Sequence, residues 1–315
     1  MIIVTGGAGF IGSNIIKHLN KQNHTNIVVV DNLSNSKKHT NLTDLKIVDY
    51  IDKKDFTTII NVSKNKMKNI QAIFHQGACS STTVQNGRYI MKNNYQYSKN
   101  ILQYCLKYKI PLLYASSAAV YGKQHSQCTE HHQYEYPINI YGYSKLLFDQ
   151  YVRSILPQAQ SQIFGARYFN VYGPREQHKN KMASIIFQII NQINNNKQPT
   201  LFSGSETFSR DFIYIDDVID VNIWAFKNNI SGIFNIGTGI STSFTEIANT
   251  TLNLYNNEKK HTINYINFPI QLKHSYQTFT QANIKHLQQS GYNKKFIPTD
   301  QGIKKYISWL KTNNN

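Results

Sequence analysis

Short apolar runs alternate with longer stretches in which apolar residues recur at helical spacing. Residues 2–5 (Ile-Ile-Val-Thr), 27–30 (Ile-Val-Val-Val), 72–75 (Ala-Ile-Phe-His) and 112–115 (Leu-Leu-Tyr-Ala) are short, almost wholly apolar and rich in β-branched or aromatic side chains. Each predicts a strand buried on both faces. Residues 161–167 continue the series, and helical patterns at 11–19 and 94–108 lie between members of it. Strands of this kind separated by helices predict an α/β fold, a doubly wound parallel sheet covered on both sides.

The pattern is less regular after Asn170. Residues 171–184 predict a long loop, a type of segment that commonly carries function. A helix is expected over 184–194 and a strand over 212–215, with Asp216 or Asp217 capping the helix that follows. Another strand over 233–236 ends at Gly237-Thr238-Gly239, and a last helix is expected over 300–311. Asn194-Asn195-Asn196 predicts a turn and Asn313-Asn314-Asn315 a frayed end.

The chemistry begins with Thr5-Gly6-Gly7-Ala8-Gly9-Phe10-Ile11-Gly12, which follows the first strand and opens the first helix. Gly6, Gly7, Gly9 and Gly12 satisfy both common spacings of a dinucleotide-binding turn. Glycines there let backbone N–H groups approach a pyrophosphate at the positive end of a helix. The second strand ends at Asp31, where an acid that binds a ribose is expected. Asp31 favours a free 2′-hydroxyl, hence NAD. The following Lys37 and Lys38 favour a 2′-phosphate, hence NADP, and physics alone leaves the two open. Further on, Tyr141-Gly142-Tyr143-Ser144-Lys145 starts a helix capped by Asn139, with Pro157 just beyond its end. Tyr141 and Lys145 share one helix face. An ammonium beside a phenol lowers the phenol's pKa and makes it a usable base. Ser116 and Ser117 close an earlier strand, at the edge where catalytic groups of parallel sheets gather, and Ser117 can hydrogen-bond a reacting hydroxyl.

These features set the domain expectation: residues 1–169 as a dinucleotide-binding domain of Rossmann type, and 170–315 as a smaller α/β substrate domain, with 210–236 returning to the first. A chain of 315 residues is long enough for both. With 40% hydrophobic residues, disorder is excluded. No apolar run approaches the roughly 20 residues of a membrane helix. The first strand begins at Ile2 without a basic leader, so a cytoplasmic protein is expected. Cys79, Cys105 and Cys128 form no Cys-x-x-Cys pair and are expected as reduced thiols. The net charge is +17, but the lysines are scattered among asparagines with no block of five like charges. This pattern fits solvated faces better than a nucleic-acid surface. His125, Cys128, His131 and His132 have suggestive spacing, yet they sit in a polar stretch between strand and helix, so no metal is expected.

Glycine turn, Ser117, Tyr141 and Lys145 together resemble the extended short-chain dehydrogenase/reductase family. Further blocks agree: 114–122, 167–175 (Arg-Tyr-Phe-Asn-Val-Tyr-Gly-Pro-Arg), 210–218 and 234–239. Within that family the chain is most similar to the nucleotide-sugar epimerases that act on ADP-heptoses. The similarity spans essentially the whole chain, through residues 74–83, 93–99 and Gly173-Pro174-Arg175-Glu176-Gln177-His178-Lys179. The resemblance implies one NADP per subunit, held by Phe10, Ile11, Asp31, Asn32, Lys38, Lys53, Gln76, Gly77, Ala78, Cys79, Ser80, Asn93, Lys145, Val171 and Lys179. It implies Lys179 as a second catalytic base beside Tyr141. An ADP-heptose would touch Asn170, Phe202, Ser203, Gly204, Ser205, Arg210 and Tyr276, with Arg210 gripping the pyrophosphate in a fork. The implied assembly is a homo-oligomer, a pentamer, with no nucleic-acid or membrane partner. Two substrate-side positions depart from the family pattern: Lys181 stands where a small residue, usually Ser, is expected, and Gln188 where His is expected. Ala118-Ala119 stands where a 4,6-dehydratase carries an acidic pair, a 4-epimerase would not need Lys179, and a non-catalytic dinucleotide sensor would not need Ser117, Tyr141 and Lys145 together.

Overall fold

The computed structural model describes residues 1–62, 67, 69–124, 126–255, 262–269 and 276–313. In chain order the first part comprises β1 (Ile2–Thr5), α1 (Phe10–Lys21), β2 (Ile27–Asp31), β3 (Asp49–Asp52), α2 (Lys53–Val62), β4 (Ala72–His75), α3 (Gly87–Ile90), α4 (Tyr97–Tyr108), β5 (Leu112–Ser117), α5 (Ile140–Ile155) and β6 (Ile163–Tyr168). The second comprises β7 (Asn170–Tyr172), α6 (Ile185–Asn194), β8 (Thr200–Phe202), β9 (Ser209–Tyr214), α7 (Ile215–Lys227), β10 (Gly232–Ile236), β11 (Ser241–Ser243), α8 (Phe244–Tyr255), β12 (Asn264–Ile266), α9 (Lys285–Gln289) and α10 (Thr299–Asn313).

Seven strands form one parallel sheet in the order β3-β2-β1-β4-β5-β6-β10. The doubly wound α/β sheet read from the hydrophobic pattern is therefore present. Alternate strand residues feed two cores. Val4, Val29, Phe74 and Phe164 pack with Ile15 and Ile16 of α1 and with Val218 of α7. Ile3, Val28, Ile73 and Ile163 pack with Phe56 of α2, Ile101 of α4 and Phe148 of α5. This two-fold periodicity with helices on both sides is why the strands inside the sheet have no polar face.

A three-stranded sheet, β11-β9-β7, and a two-stranded sheet, β12-β8, stand apart from the large one, whereas β10 pairs with β6 inside it. Several local expectations are corrected. The long segment after Asn170 opens with β7 and contains a 3₁₀ turn, Gln177–Met182. Neither Asp216 nor Asp217 caps α7. Its N-cap is Tyr214 and both acids lie in the first turn, where they favour the positive end of the helix dipole. Residues 91–96, at the edge of an expected helix, form a π-helical turn between α3 and α4. The sequence reading omitted β3 and α2. β3 is an edge strand with Asp49 and Tyr50 exposed, so it lacks the apolar signature of its neighbours. The turn at 195–196 is present, and α10 runs to Asn313, with residues 314 and 315 outside the described ones.

Candidate active site

The carboxyl ends of β1, β2, β4, β5 and β6 open onto one cleft of about 730 Å³. At one end lies the glycine turn. Gly6 has φ +65°, and a Cβ on Gly12 would stand 2.3 Å from the Gly6 carbonyl oxygen. A side chain at either position would collide with the backbone of the turn or of the adjoining strand end, so this tight backbone conformation requires glycine. The side-chain amide nitrogen of Gln76, also on the cleft, is buried with no hydrogen-bond partner among the described residues. A bare backbone cradle and an unmet buried donor fit a dinucleotide.

Asp31 closes β2 with its carboxylate turned inward. It accepts from the Ala8 N–H at 3.1 Å and from Lys38 Nζ at 2.6 Å. Lys53, at the start of α2, donates to Asn93 Oδ1 at 2.7 Å and lies over the Tyr97 ring. Phe10, Ile11, Asn32, Gly77, Ala78, Cys79, Ser80 and Val171 complete the cofactor positions that the resemblance implies, and all line the cleft. Asn94, in the π-helical turn, holds the Cys79 backbone from both sides, accepting from its N–H at 2.8 Å and donating to its carbonyl at 3.0 Å. It also donates to Ser144 Oγ at 3.1 Å, linking the cofactor wall to the catalytic helix.

On α5 the side chain of Asn139 accepts from the Gly142 N–H, as expected of a cap, and Tyr141 and Lys145 both face the cleft. Lys145 is buried and donates to the Ala115 carbonyl at 2.7 Å. Burial pushes its pKa down to about 8, while the carboxylate of Asp149 pulls it upward. The expected lowering of the Tyr141 pKa does not occur in the protein alone. Burial raises it, and the opposing effect comes from the Ser117 hydroxyl rather than from Lys145. Removing a phenolate from water costs more than the surroundings return.

Lys179 enters the same cleft from the 3₁₀ turn. Burial lowers its pKa, against the upward pull of buried Glu176. Its ammonium lies 5.3 Å from the centre of the Phe10 ring. At the far end Arg210, on β9, is packed between Phe244 and Tyr276, with ring centres at 5.6 and 5.2 Å. Its guanidinium bonds only the Ser209 carbonyl and has no carboxylate partner among the described residues. Lys38, Lys53, Lys145, Lys179, Lys181 and Arg210 line the cleft against the single carboxylate of Asp31. Such a surplus suits a polyanionic ligand.

Asn170 and Tyr276 join the lining, whereas Phe202, Ser203, Gly204 and Ser205 lie outside it. Phe202 meets the cleft through ring contacts, packing on Phe268, which packs on Tyr276. Gln188 lies in an adjoining hollow, and its amide donates to the Asn180 carbonyl. Lys181 borders both spaces. Sequence reasoning assigned no role to His178, Phe244 or Gln277, all of which line the cleft. His178 adjoins Lys179 in a quoted motif, but nothing local marks Phe244 or Gln277. The three cysteines are unpaired. Among the described residues no cluster of His, Cys, Asp or Glu is arranged to hold a metal, and His125 lies outside those residues. No helix among them is long and apolar enough to cross a membrane.

Known proteins share this fold. The chain is similar to an ADP-L-glycero-D-manno-heptose-6-epimerase of Helicobacter pylori, with 32% identity, a TM-score of 0.83, and 98% of this chain and 96% of that one covered. A UDP-N-acetylglucosamine 4-epimerase of Methanobrevibacter ruminantium shares the fold at 24% identity and a TM-score of 0.85, over 99% and 98% of the two chains. A UDP-glucose 4-epimerase of Thermotoga maritima does so at 24% and 0.82, over 100% and 99%. Residues 2–237, which carry the glycine turn, the Tyr141–Lys145 face and Arg210, match the model of the NAD dependent epimerase/dehydratase family, and the chain belongs to that family.

Proposed function

We propose that the protein inverts C6 of an ADP-heptose, interconverting the D-glycero and L-glycero forms of ADP-β-D-manno-heptose by transient oxidation with a tightly held NADP. The observation that carries this reading is the entry of two proton-handling groups, Tyr141 and Lys179, into one cationic cleft from different elements. The 32% identity to a heptose 6-epimerase supports the choice of substrate. The reading places the reaction in building the inner-core heptose of lipopolysaccharide, in the cytoplasm, by a homo-oligomer that the resemblance makes a pentamer.

The glycine turn, Asn32, Lys38, Lys53 and Gln76 hold the cofactor. Lys38 neutralises Asp31 at 2.6 Å, so that carboxylate does not repel a 2′-phosphate, which favours NADP over NAD. When bound, the cofactor supplies a hydride acceptor that returns the same hydride, so the carbon is inverted with no net redox change. The protein moves the protons. Burial raises the Tyr141 pKa and lowers that of Lys179, against the pull of Glu176, and these opposed shifts support a proton-donating phenol and a proton-accepting amine. Lys179 takes the C6 hydroxyl proton as the ketone forms, and Tyr141 returns a proton to the oxygen once the sugar has turned about C5–C6. The reverse direction uses the opposite protonation states. Ser117 hydrogen-bonds the reacting oxygen and Arg210 anchors the diphosphate.

Proton NMR of ADP-D-glycero-D-manno-heptose with pure protein and no added cofactor tests the reading. The expected result is an equilibrium mixture of the two C6 epimers. Conversion of UDP- or dTDP-hexoses with the ADP-heptose untouched would replace it with a 4-epimerase, and inertness toward all of them with a dinucleotide sensor.

A further inference from the structure

Lys179 depends on its backbone for its position, because its ammonium makes no hydrogen bond among the described residues. That backbone is gripped by the cofactor side of the cleft. The side-chain amide of buried Asn41 donates to the carbonyl of Ala8 in the glycine turn and to that of Arg175, both at 3.1 Å, and its nitrogen lies 3.1 Å from Nδ1 of His178. Arg175 returns the grip. Its Nη1 donates to the Asn41 carbonyl at 2.5 Å, and its Nη2 donates to both carboxylate oxygens of Asp44 at 2.7 and 2.6 Å. Asn35 donates to the His178 carbonyl at 3.1 Å, and Asn14 of α1 to the Pro174 carbonyl at 3.0 Å. Arg175 has φ +75° and Asn180, inside the turn, has φ +50°, so Lys179 is flanked by two residues of positive φ. Such backbone persists where its surroundings over-determine it.

We propose that Asn41 and Arg175 are positioning residues that tie the segment carrying Asp31 and Lys38 to the turn carrying Lys179, so that filling the adenosine end of the cleft fixes the lysine at the reacting end. The proposal rests on the reading of the cleft as a dinucleotide site with Lys179 as a proton-handling group. Asn41 touches both sides: the 3₁₀ turn it ends, Ser36–Asn41, contains Lys38, and its amide donates to the Arg175 carbonyl and meets the His178 ring. A ligand that orders Lys38 therefore orders Asn41, and with it the backbone from which Lys179 projects.

The test is amide hydrogen exchange read by mass spectrometry on the whole protein, stripped of dinucleotide and then saturated with NADP. In the wild type, NADP should slow exchange over both 36–44 and 173–184. In Asn41→Ala it should still slow 36–44, while 173–184 exchanges about tenfold faster than in the saturated wild type, the effect of one lost buried hydrogen bond. Turnover should fall with little change in KM for the sugar. Asp44→Asn provides a second variant whose folding is not at stake, because the Asp44 side chain is half exposed. It should loosen 173–184 by a smaller factor. Equal protection of 173–184 in wild type and both variants would overturn the proposal. Absence of protection at 36–44 in the wild type would remove the dinucleotide reading beneath it. Full turnover by Lys179→Met with the exchange coupling intact would instead refute the catalytic role and leave the mechanical tie standing.

Discussion

Two buried arginines show how scaffold and site differ in this molecule. Arg167, on β6, is 0% exposed, and Arg210, on β9, is 6% exposed. Arg167 donates through Nε to Asp149 at 2.8 Å, lies 2.6 Å from Glu135, and donates through Nη1 to the Tyr121 hydroxyl at 2.9 Å. Asp149 also accepts from the hydroxyls of Tyr114 and Ser116, and Glu135 is paired with Arg153. This network locks β5, β6 and α5 together, with Lys145 one turn before Asp149 on the same helix. Arg210 has similar burial but lies between two rings and has no carboxylate partner among the described residues. A charge desolvated without a partner is costly, and it is retained where a ligand completes it. Burial does not distinguish the two arginines, whereas the missing counter-charge makes Arg210 the one proposed to meet a ligand.

The largest expected effect falls on the proton-handling pair. Tyr141→Phe and Lys179→Met should each reduce turnover by about 10²- to 10⁴-fold, the usual contribution of a positioned acid or base, with dinucleotide still bound. Near-normal turnover in either variant, measured by the NMR assay, would refute the two-group chemistry. Arg167→Met should lower folding stability by about 3–5 kcal/mol, because it leaves buried Asp149 without its cation and removes one of the two cations of Glu135. Urea unfolding measures this, and an unchanged midpoint would break the contrast between the two arginines. Arg210→Met should leave the midpoint unchanged or raise it while weakening nucleotide-sugar binding by about 1.5–3 kcal/mol, the range for a charge-assisted hydrogen bond. Calorimetry that found affinity intact and stability lost would reverse the assignment.

The smallest effect concerns pH. Lys145 is charged below about pH 8 and neutral above it. Dinucleotide affinity should therefore decline modestly as pH rises through 8. In Lys145→Met it should be weaker throughout and flat across that interval, as a fluorescence titration would show. His178, held neutral by burial and the nearby Lys38 and Lys179, has its pKa pushed down to about 4, so no second break is expected near pH 6 or 7.

The residues legible from sequence were those whose chemistry is local. The glycine turn is contiguous, and the need for glycine follows from contacts within the turn and with the adjoining strand end: a Cβ on Gly6 would stand 2.7 Å from Gly77, and one on Gly12 2.3 Å from Gly6. The Asn139 cap and the shared face of Tyr141 and Lys145 follow from one helical turn. Six of the seven strands of the large sheet were legible because a sheet buried on both faces leaves no room for polar residues; β3 escaped notice because it is an edge strand.

The sequence by itself determined the parallel sheet, the cradle at its carboxyl edge and the helix face bearing Tyr141, because these depend on periodicity and on neighbours a few positions apart. Only the tertiary structure decided that burial raises the Tyr141 pKa, that Arg210 lacks a counter-charge among the described residues while Arg167 has two, that residues 202–205 lie outside the cleft lining, and that Asn41 holds the segment leading to Lys179. Desolvation and charge pairing depend on which atoms surround a group in space, and here the surrounding residues come from segments as far apart as Asn41 and Arg175, or Arg210 and Tyr276, which only folding brings together.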